Sequence, residues 1–299
     1  MTNEIPIGVP VLKKLLFHLD TDPIANTFNT VVGYDGGADH VTVQGGITPK
    51  NVVKLVDGVI FTRAPKSKKN SALFVTGSDM AEGEALLKAV RNHFFDDFRV
   101  SVMLDSNGSN TTAAAAVAFV RKHLDISGKR AVILAGTGPV GQRAGLMLAK
   151  EGADVVITSR KIMRAEAACA AMQHTFGVTL SPAMARDNDT TNEVLDGANI
   201  VIATGAAGVQ LIAPKQWQTL PGLEVVIDAN ATPPLGIDGI EMTDRGNERH
   251  GKVCYGALGF GGFKLEVQRA CVEKLFERND QVFDALEIYD IAKHMMGIA

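Results

Sequence analysis

The chain has 299 residues, 46% of them hydrophobic and 21% charged, and its 30 basic and 33 acidic residues leave a net charge of −3. That length suggests about two domains, each able to bury its own core. No basic stripe suggests a nucleic-acid surface, and no charge block suggests a disordered tail. No apolar run approaches a membrane span, and an N-terminus broken by Pro6 and Pro10 does not follow the secretory-leader pattern. Cys169, Cys254 and Cys271 are odd in number and lack C-x-x-C spacing, which suits the reduced thiols of a cytoplasmic protein better than a disulfide frame or a zinc site.

Residues 1–12 read as a loose extension. LLFHLD (15–20) then suits a buried strand, and Pro23 opens a helix over 23–32. VIFTR (59–63) and ALFVTG (72–77) are further strand candidates, and 80–95 has helical spacing of its apolar residues. RVSVMLD (99–105) reads as a strand and 109–124 as a helix capped by Ser109 or Asn110. The polar stretch DISGKR (125–130) marks the expected boundary. Beyond it, strands at 131–136, 154–159, 199–205 and 224–230 alternate with helices to about 151 and over 161–176, and helices at 259–277 and 284–296 follow. Apolar strands separated by helices imply parallel sheets covered on both faces, an α/β fold. The expected domains are 1–125, with helices from about 270–299 packing back on it, and 126–269.

Gly136-Thr137-Gly138-Pro139-Val140-Gly141 is a G-x-G-x-x-G that follows the strand AVILA and opens a helix. In that context the first glycine permits a tight turn, the second lets a diphosphate approach the backbone, and the third lets helix and strand pack closely. The helix N-terminus adds unpaired N–H groups and partial positive charge. This is the fingerprint of a Rossmann dinucleotide-binding domain. An NAD binder carries an acid at the end of the second strand. Here that strand ends in Ser159-Arg160-Lys161, a hydroxyl and two cations suited to a 2′-phosphate, so NADP is the expected cofactor. Thr204, Gly205, Ala206, Asp228 and Asn230 end later strands and are candidates for the nicotinamide ribose.

Outside the loop, Lys264 is the one charged residue in the apolar, glycine-rich run GALGFGGFKL. It either orients a ligand by hydrogen bonds or snorkels to solvent. Ser109, Asn110 and Thr112 lie at a strand-to-helix turn, where hydroxyls and free N–H groups meet a ligand or simply cap the helix. Asp105 precedes them and serves either that turn or a ligand. Tyr34–Asp39 is a glycine turn between acids without calcium-loop spacing, so Asp35 is a ligand or subunit contact and no metal is expected. Phe28, alone at helical spacing, reads as core. The seven histidines form no cluster in sequence.

YDGGADH (34–40), MLDSNGSNTTAAAA (103–116), LAGTGPVG (134–141), PPLGIDGI (233–240) and GALGFGGFKL (256–265) resemble the bacterial NADP-dependent methylene-tetrahydromethanopterin dehydrogenases, over nearly the whole chain from Lys13. The similarity is closer to the branch that also accepts methylene-tetrahydrofolate. The resemblance implies a pterin-binding α/β domain and a Rossmann domain with a cleft between them. It implies reversible oxidation of the methylene to the methenyl pterin in one-carbon metabolism, and a homo-oligomer, a trimer or a multiple of it. It assigns Phe28 to pterin stacking and Thr112 and Lys264 to the pterin site. Relatives carry His four residues after that lysine, whereas this chain has Gln268, a departure at a substrate-binding position.

Such a reaction needs neither a nucleophile nor a metal. The hydride leaves a carbon between two nitrogens that share the resulting charge, so the protein must chiefly hold donor and acceptor together and exclude water. Other readings are an NADP dehydrogenase of shikimate or amino-acid type, which needs a proton donor such as a Lys–Asp pair, and a non-catalytic NADPH-binding protein. A folate dehydrogenase–cyclohydrolase, whose site resembles a Tyr-x-x-x-Lys pair on one helix, is disfavoured, since Tyr34 and Tyr255 lack a Lys four residues on and Tyr289 is followed by Lys293 only near the C-terminus.

Overall fold

Runs of β-branched and apolar residues form two mainly parallel sheets in the computed structural model, which describes residues 12–298. By contacts the chain divides into two units. One runs to Leu104 and includes Cys271–Val282; the other comprises Asp105–Ala270 and the chain from Phe283. The loose extension expected over residues 1–12 lies, but for Leu12, outside the described residues.

In chain order the first unit has β1 (Leu15–Asp20), α1 (Thr27–Asp35), β2 (His40–Gln44), α2 (Val53–Phe61), β3 (Ser71–Thr76), α3 (Met80–His93) and β4 (Ser101–Leu104). The second contributes α4 (Ser109–His123), β5 (Arg130–Leu134), α5 (Pro139–Lys150), β6 (Asp154–Ser159), α6 (Ile162–Phe176), β7 (Ser181–Met184), α7 (Asn188–Leu195) and β8 (Ile200–Ala203). There follow α8 (Pro214–Trp217), β9 (Val225–Asp228), β10 (Arg245–Arg249), β11 (Lys252–Tyr255), α9 (Ala257–Lys274), β12 (Val282–Phe283) and α10 (Ala285–Met296).

The first sheet has the order β12-β4-β3-β1-β2, with β2, β1, β3 and β4 parallel. Every residue of β3 and β4 is buried, among them Leu73, Val75, Val102 and Leu104, under α2 and α3. Burial on both faces is why these strands are continuous apolar runs. Two expectations fail here. Residues 59–63 are not a strand: Val56, Val59 and Ile60 are the buried face of α2, and a short apolar run cannot by itself distinguish strand from helix. The helix expected from Pro23 begins at Thr27, because Asn26 caps it by accepting from Phe28 N (2.9 Å).

The second sheet has the order β10-β11-β9-β8-β5-β6-β7, parallel except for the β10–β11 pair. The chain leaves β5 towards β6 on one side and returns to β8 on the other, so the order reverses at β5, where open α/β sheets bind ligands at their C-terminal ends. The unit boundary lies at Leu104/Asp105 rather than at 125–126. α4 is buried from Ala113 to Val120, and its small alanines let it pack against α5 and α10. α10, expected to return to the first domain, therefore packs within the second unit, while the segment before it adds β12 beside β4, with Val102 N donating to Gln281 O (2.9 Å).

Candidate active site

β5 ends at Leu134, and Ala135 (φ +51°) turns the chain towards α5. Thr158 of β6 holds this turn, its Oγ1 accepting from Ala135 N (3.0 Å) and its carbonyl from Gly136 N (3.0 Å). A Cβ on Gly136 would approach Ile133 Cγ2 to 2.8 Å, and one on Gly141 would lie 2.5 Å from Gly136 Cα. Around Gly138 a Cβ would meet nothing within 4 Å. Gly138 is the N-cap of α5 and Pro139 opens the helix, so the open face coincides with the unpaired N–H groups and positive end of the helix dipole. A diphosphate fits this cradle. The tight turn itself falls on Ala135; Gly136 and Gly141 serve close packing.

Next to it, Thr204 N donates to Leu134 O (3.0 Å), joining the ends of β8 and β5. A cavity of about 510 Å³ lies over these ends, lined by Thr137, Gly138, Ser159, Thr204, Gly205 and Ala206 among others. A neighbouring cavity of about 460 Å³ is lined by Ser159, Arg160, Lys161, Arg164 and Arg186. One hydroxyl and four cations surround it, a donor set for a phosphate dianion. Asp187 stands close by, with an oxygen 3.5 Å from Arg186 Nε. Its carboxylate is committed to α7, accepting from Thr190 N (3.0 Å) and Oγ1 (2.7 Å), and these bonds hold it below the usual carboxylate range. Arg164 and Arg186 were not among the sequence candidates. Arg164 lies in the first turn of α6, just beyond Arg160 and Lys161, and that closeness in sequence is the signal for it; Arg186 arrives from the loop after β7.

Asp228 and Asn230 are buried and do not line either cavity. Asp228 accepts from Asn230 N (2.9 Å) and Ile237 N (2.7 Å), and Asn230 Oδ1 accepts from Thr232 N (3.0 Å). The geometry thus gives them the folding of the 229–237 loop rather than the ribose contact expected from their strand position. Burial pushes the Asp228 carboxyl up, against those backbone hydrogen bonds.

A second cluster joins the start of α4 to α9. Lys264 Nζ donates to Gln268 Oε1 (2.8 Å), and Gln268 Nε2 donates to Asp105 Oδ2 (3.0 Å). Asp105 also accepts from Thr111 Oγ1 (2.7 Å) and Thr111 N (3.1 Å). Gly108 is in the left-handed region (φ +61°), and a Cβ there would lie 3.1 Å from Lys264 Nζ and 4.0 Å from Thr112 Oγ1. The bare glycine therefore makes the place where Lys264 and Thr112 converge. Burial lowers the Lys264 pKa, opposed by Asp105; burial raises that of Asp105, opposed by Lys264 and the Thr111 hydrogen bonds. Asp105 and Gln268 are fully buried, whereas Lys264 and Thr112 are half-buried and form the open side of the cluster.

Ser109 and Asn110 neither cap α4 nor reach an open surface. Gly108 is the N-cap, both residues are fully buried in the first turn, and Asn110 Nδ2 donates to Asp284 Oδ1 (3.0 Å), the N-cap of α10. In the first unit, Phe28 and Asp35 stand on α1, both exposed. At 48% exposure Phe28 is not the core residue its spacing suggests.

Fold and loop together define a two-unit protein with a Rossmann-type dinucleotide-binding unit. A solved shikimate 5-dehydrogenase from Listeria monocytogenes, in complex with shikimate and NAD, shares the fold at 15% identity, a TM-score of 0.50 and coverage of 95% of this chain and 96% of that one. Residues 27–107 match the family described as methylene-tetrahydromethanopterin dehydrogenase, N-terminal. The chain is 52% identical over 285 residues to the bifunctional protein MdtA of Methylorubrum extorquens, covering 95% of this chain and 99% of the relative. It is 28% identical over 286 residues to the NAD(P)-dependent methylenetetrahydromethanopterin dehydrogenase of the same organism, covering 90% and 94%. The chain belongs to the methylene-tetrahydromethanopterin dehydrogenase family. Among the described residues no helix is long and apolar enough to cross a membrane.

Proposed function

We propose that this chain catalyses the reversible oxidation of methylene-tetrahydromethanopterin to the methenyl form with NADP⁺, and accepts the tetrahydrofolate analogue as a second substrate. The observation that carries the reading is the open amide face at Gly138 beside a cavity walled by Arg160, Lys161, Arg164 and Arg186. Family membership supplies the substrate class. When bound, NADP⁺ supplies the hydride acceptor.

The loop from Gly136 to Gly141 holds the diphosphate. Ser159, Arg160, Lys161, Arg164 and Arg186 bind the 2′-phosphate, and four cations beside the single carboxylate of Asp187, itself committed to α7, favour a phosphate over a bare ribose. Thr204, Gly205 and Ala206 wall the cavity on the nicotinamide side. Lys264 and Thr112 donate hydrogen bonds to pterin heteroatoms and fix the ring; a stacking role for Phe28 rests on the family resemblance alone. Burial lowers the Lys264 pKa and Asp105 opposes it, and the same carboxylate screens the ammonium from the cationic product. Three buried, unbridged cysteines agree with a cytoplasmic setting. The exposed apolar residues Val31 and Tyr34 of α1 suit a homo-oligomer.

The test is NADPH formation by the purified protein with methylene-tetrahydromethanopterin and methylene-tetrahydrofolate, each with NADP⁺ and NAD⁺. Turnover of a methylene pterin with preference for NADP⁺ is expected. Activity on shikimate or an amino acid with none on either pterin would overturn the reading, as would nucleotide binding without turnover of any of them.

A further inference from the structure

We infer that Gln268 is a positioning residue for hydride transfer: anchored by Asp105, its side-chain amide fixes the direction of the Lys264 ammonium over Gly108. The inference rests on the reading of Lys264 as a pterin contact and adds how that contact is aimed.

The two ends of a glutamine amide are not interchangeable, since Oε1 only accepts and Nε2 only donates. Asp105 is surrounded by donors: Thr111 N, Thr111 Oγ1 and Gln268 Nε2 all point to it. An ionised carboxylate matches that surrounding. With Nε2 committed to Asp105, Oε1 must face Lys264, and it accepts from Nζ at 2.8 Å. The flipped amide would set an acceptor against the carboxylate and a donor against the ammonium, so the bridge has one stable sense. Gln268 is 0% exposed and stands one helical turn after Lys264, so water does not compete for the amide and the α9 backbone fixes the spacing. Asp105 belongs to the segment leading into Gly108 and α4, which ties the aim of Lys264 to the same turn that presents Thr112. One nitrogen–hydrogen bond of Lys264 is thereby directed at Gln268 on the protein side, which fixes where Nζ sits beside Gly108.

Gln268→Met keeps the size and removes both hydrogen bonds. It is expected to lower kcat/KM for the methylene pterin by about ten- to a hundredfold, the loss of a hydrogen bond to a charged group. The dissociation constant for NADP⁺ is expected to stay unchanged, which also shows that the second unit is folded. The alkaline limb of the kcat/KM profile moves to lower pH, because the Lys264 ammonium loses an acceptor. Gln268→His supplies one donor and one acceptor while its imidazole is neutral. It restores the rate at about pH 8 and adds an acid limb as the ring protonates and turns a second donor towards Lys264. A wild-type rate and pH profile in Gln268→Met overturns the inference, as does a uniform loss with no shifted limb in Gln268→Met together with no rescue in Gln268→His. Lys264→Ala in parallel separates the two claims: unimpaired, it refutes the pterin-contact reading itself; impaired beside a silent Gln268→Met, it leaves that reading standing and refutes only the role of Gln268.

Discussion

Gly141 and Gly136 stand so close that a Cβ on Gly141 would lie 2.5 Å from the Gly136 Cα and carbonyl oxygen. Both obstacles are backbone, so no rotamer change relieves the overlap. Gly141→Ala must push α5 away from the loop and displace the amides at Gly138. A destabilisation of about 1–3 kcal/mol is expected, together with loss of most NADP⁺ affinity. Thermal melting and a nucleotide titration check it; an unshifted melting temperature with normal binding refutes the packing account.

Arg186→Ala tests the 2′-phosphate site through a residue that no G-x-G-x-x-G argument reaches. The guanidinium is exposed, so its contribution is at the lower end for a charged hydrogen bond. About a tenfold rise in KM for NADP⁺ is expected, with KM for NAD⁺ unaltered. Equal effects on both nucleotides would place Arg186 outside the phosphate site.

Gly108→Ala meets two obstacles, a left-handed backbone at φ +61° and Lys264 Nζ 3.1 Å from the new methyl. The first costs about 1–2 kcal/mol. The second displaces a lysine that can move, so the larger consequence is catalytic. Steady-state kinetics are expected to show a lower kcat/KM for the pterin with NADP⁺ affinity intact.

His18 gives the first unit an acid sensitivity. It is fully buried on β1; its Nε2 lies 2.6 Å from Thr76 Oγ1, which itself donates to Asp20 Oδ2, so Nε2 carries the proton. Nδ1 has no partner in the described structure. Burial lowers the imidazole pKa, opposed by Asp20. The unfolded chain then binds the extra proton more readily, so His18 contributes stability that is present above its unfolded value, about 6.5, and lost as pH falls through the lower folded value. Melting temperatures should fall as pH drops below about 6.5, and His18→Gln should flatten that fall. The same slope in both proteins contradicts the assignment.

Strands buried on both faces were legible because they need nothing but apolar residues: β6 occupies Asp154–Ser159, the segment DVVITS read directly from the sequence. Edge elements were not. β7 contains Pro182, tolerated because β7 ends the sheet, and β10 is the polar run RGNER at the opposite edge. Missing β7 concealed Arg186, whose place depends on where that strand ends. The Gly136–Gly141 loop and Arg160 were legible because their chemistry is local. The Asp105–Gln268–Lys264 chain was not, since it joins residues 163 positions apart and only folding reveals that Gln268 faces inward. Ser109 and Asn110 misled for a related reason: polar residues at a helix start usually cap it, but here Gly108 takes that position and tertiary packing buries both.

The most direct measurement is a crystal structure of the protein soaked with NADP⁺. The account predicts the diphosphate on the amides at Gly138 and the 2′-phosphate within hydrogen-bond reach of Arg160 and Arg186. Nucleotide density elsewhere, or a 2′-phosphate turned away from both arginines, would contradict it.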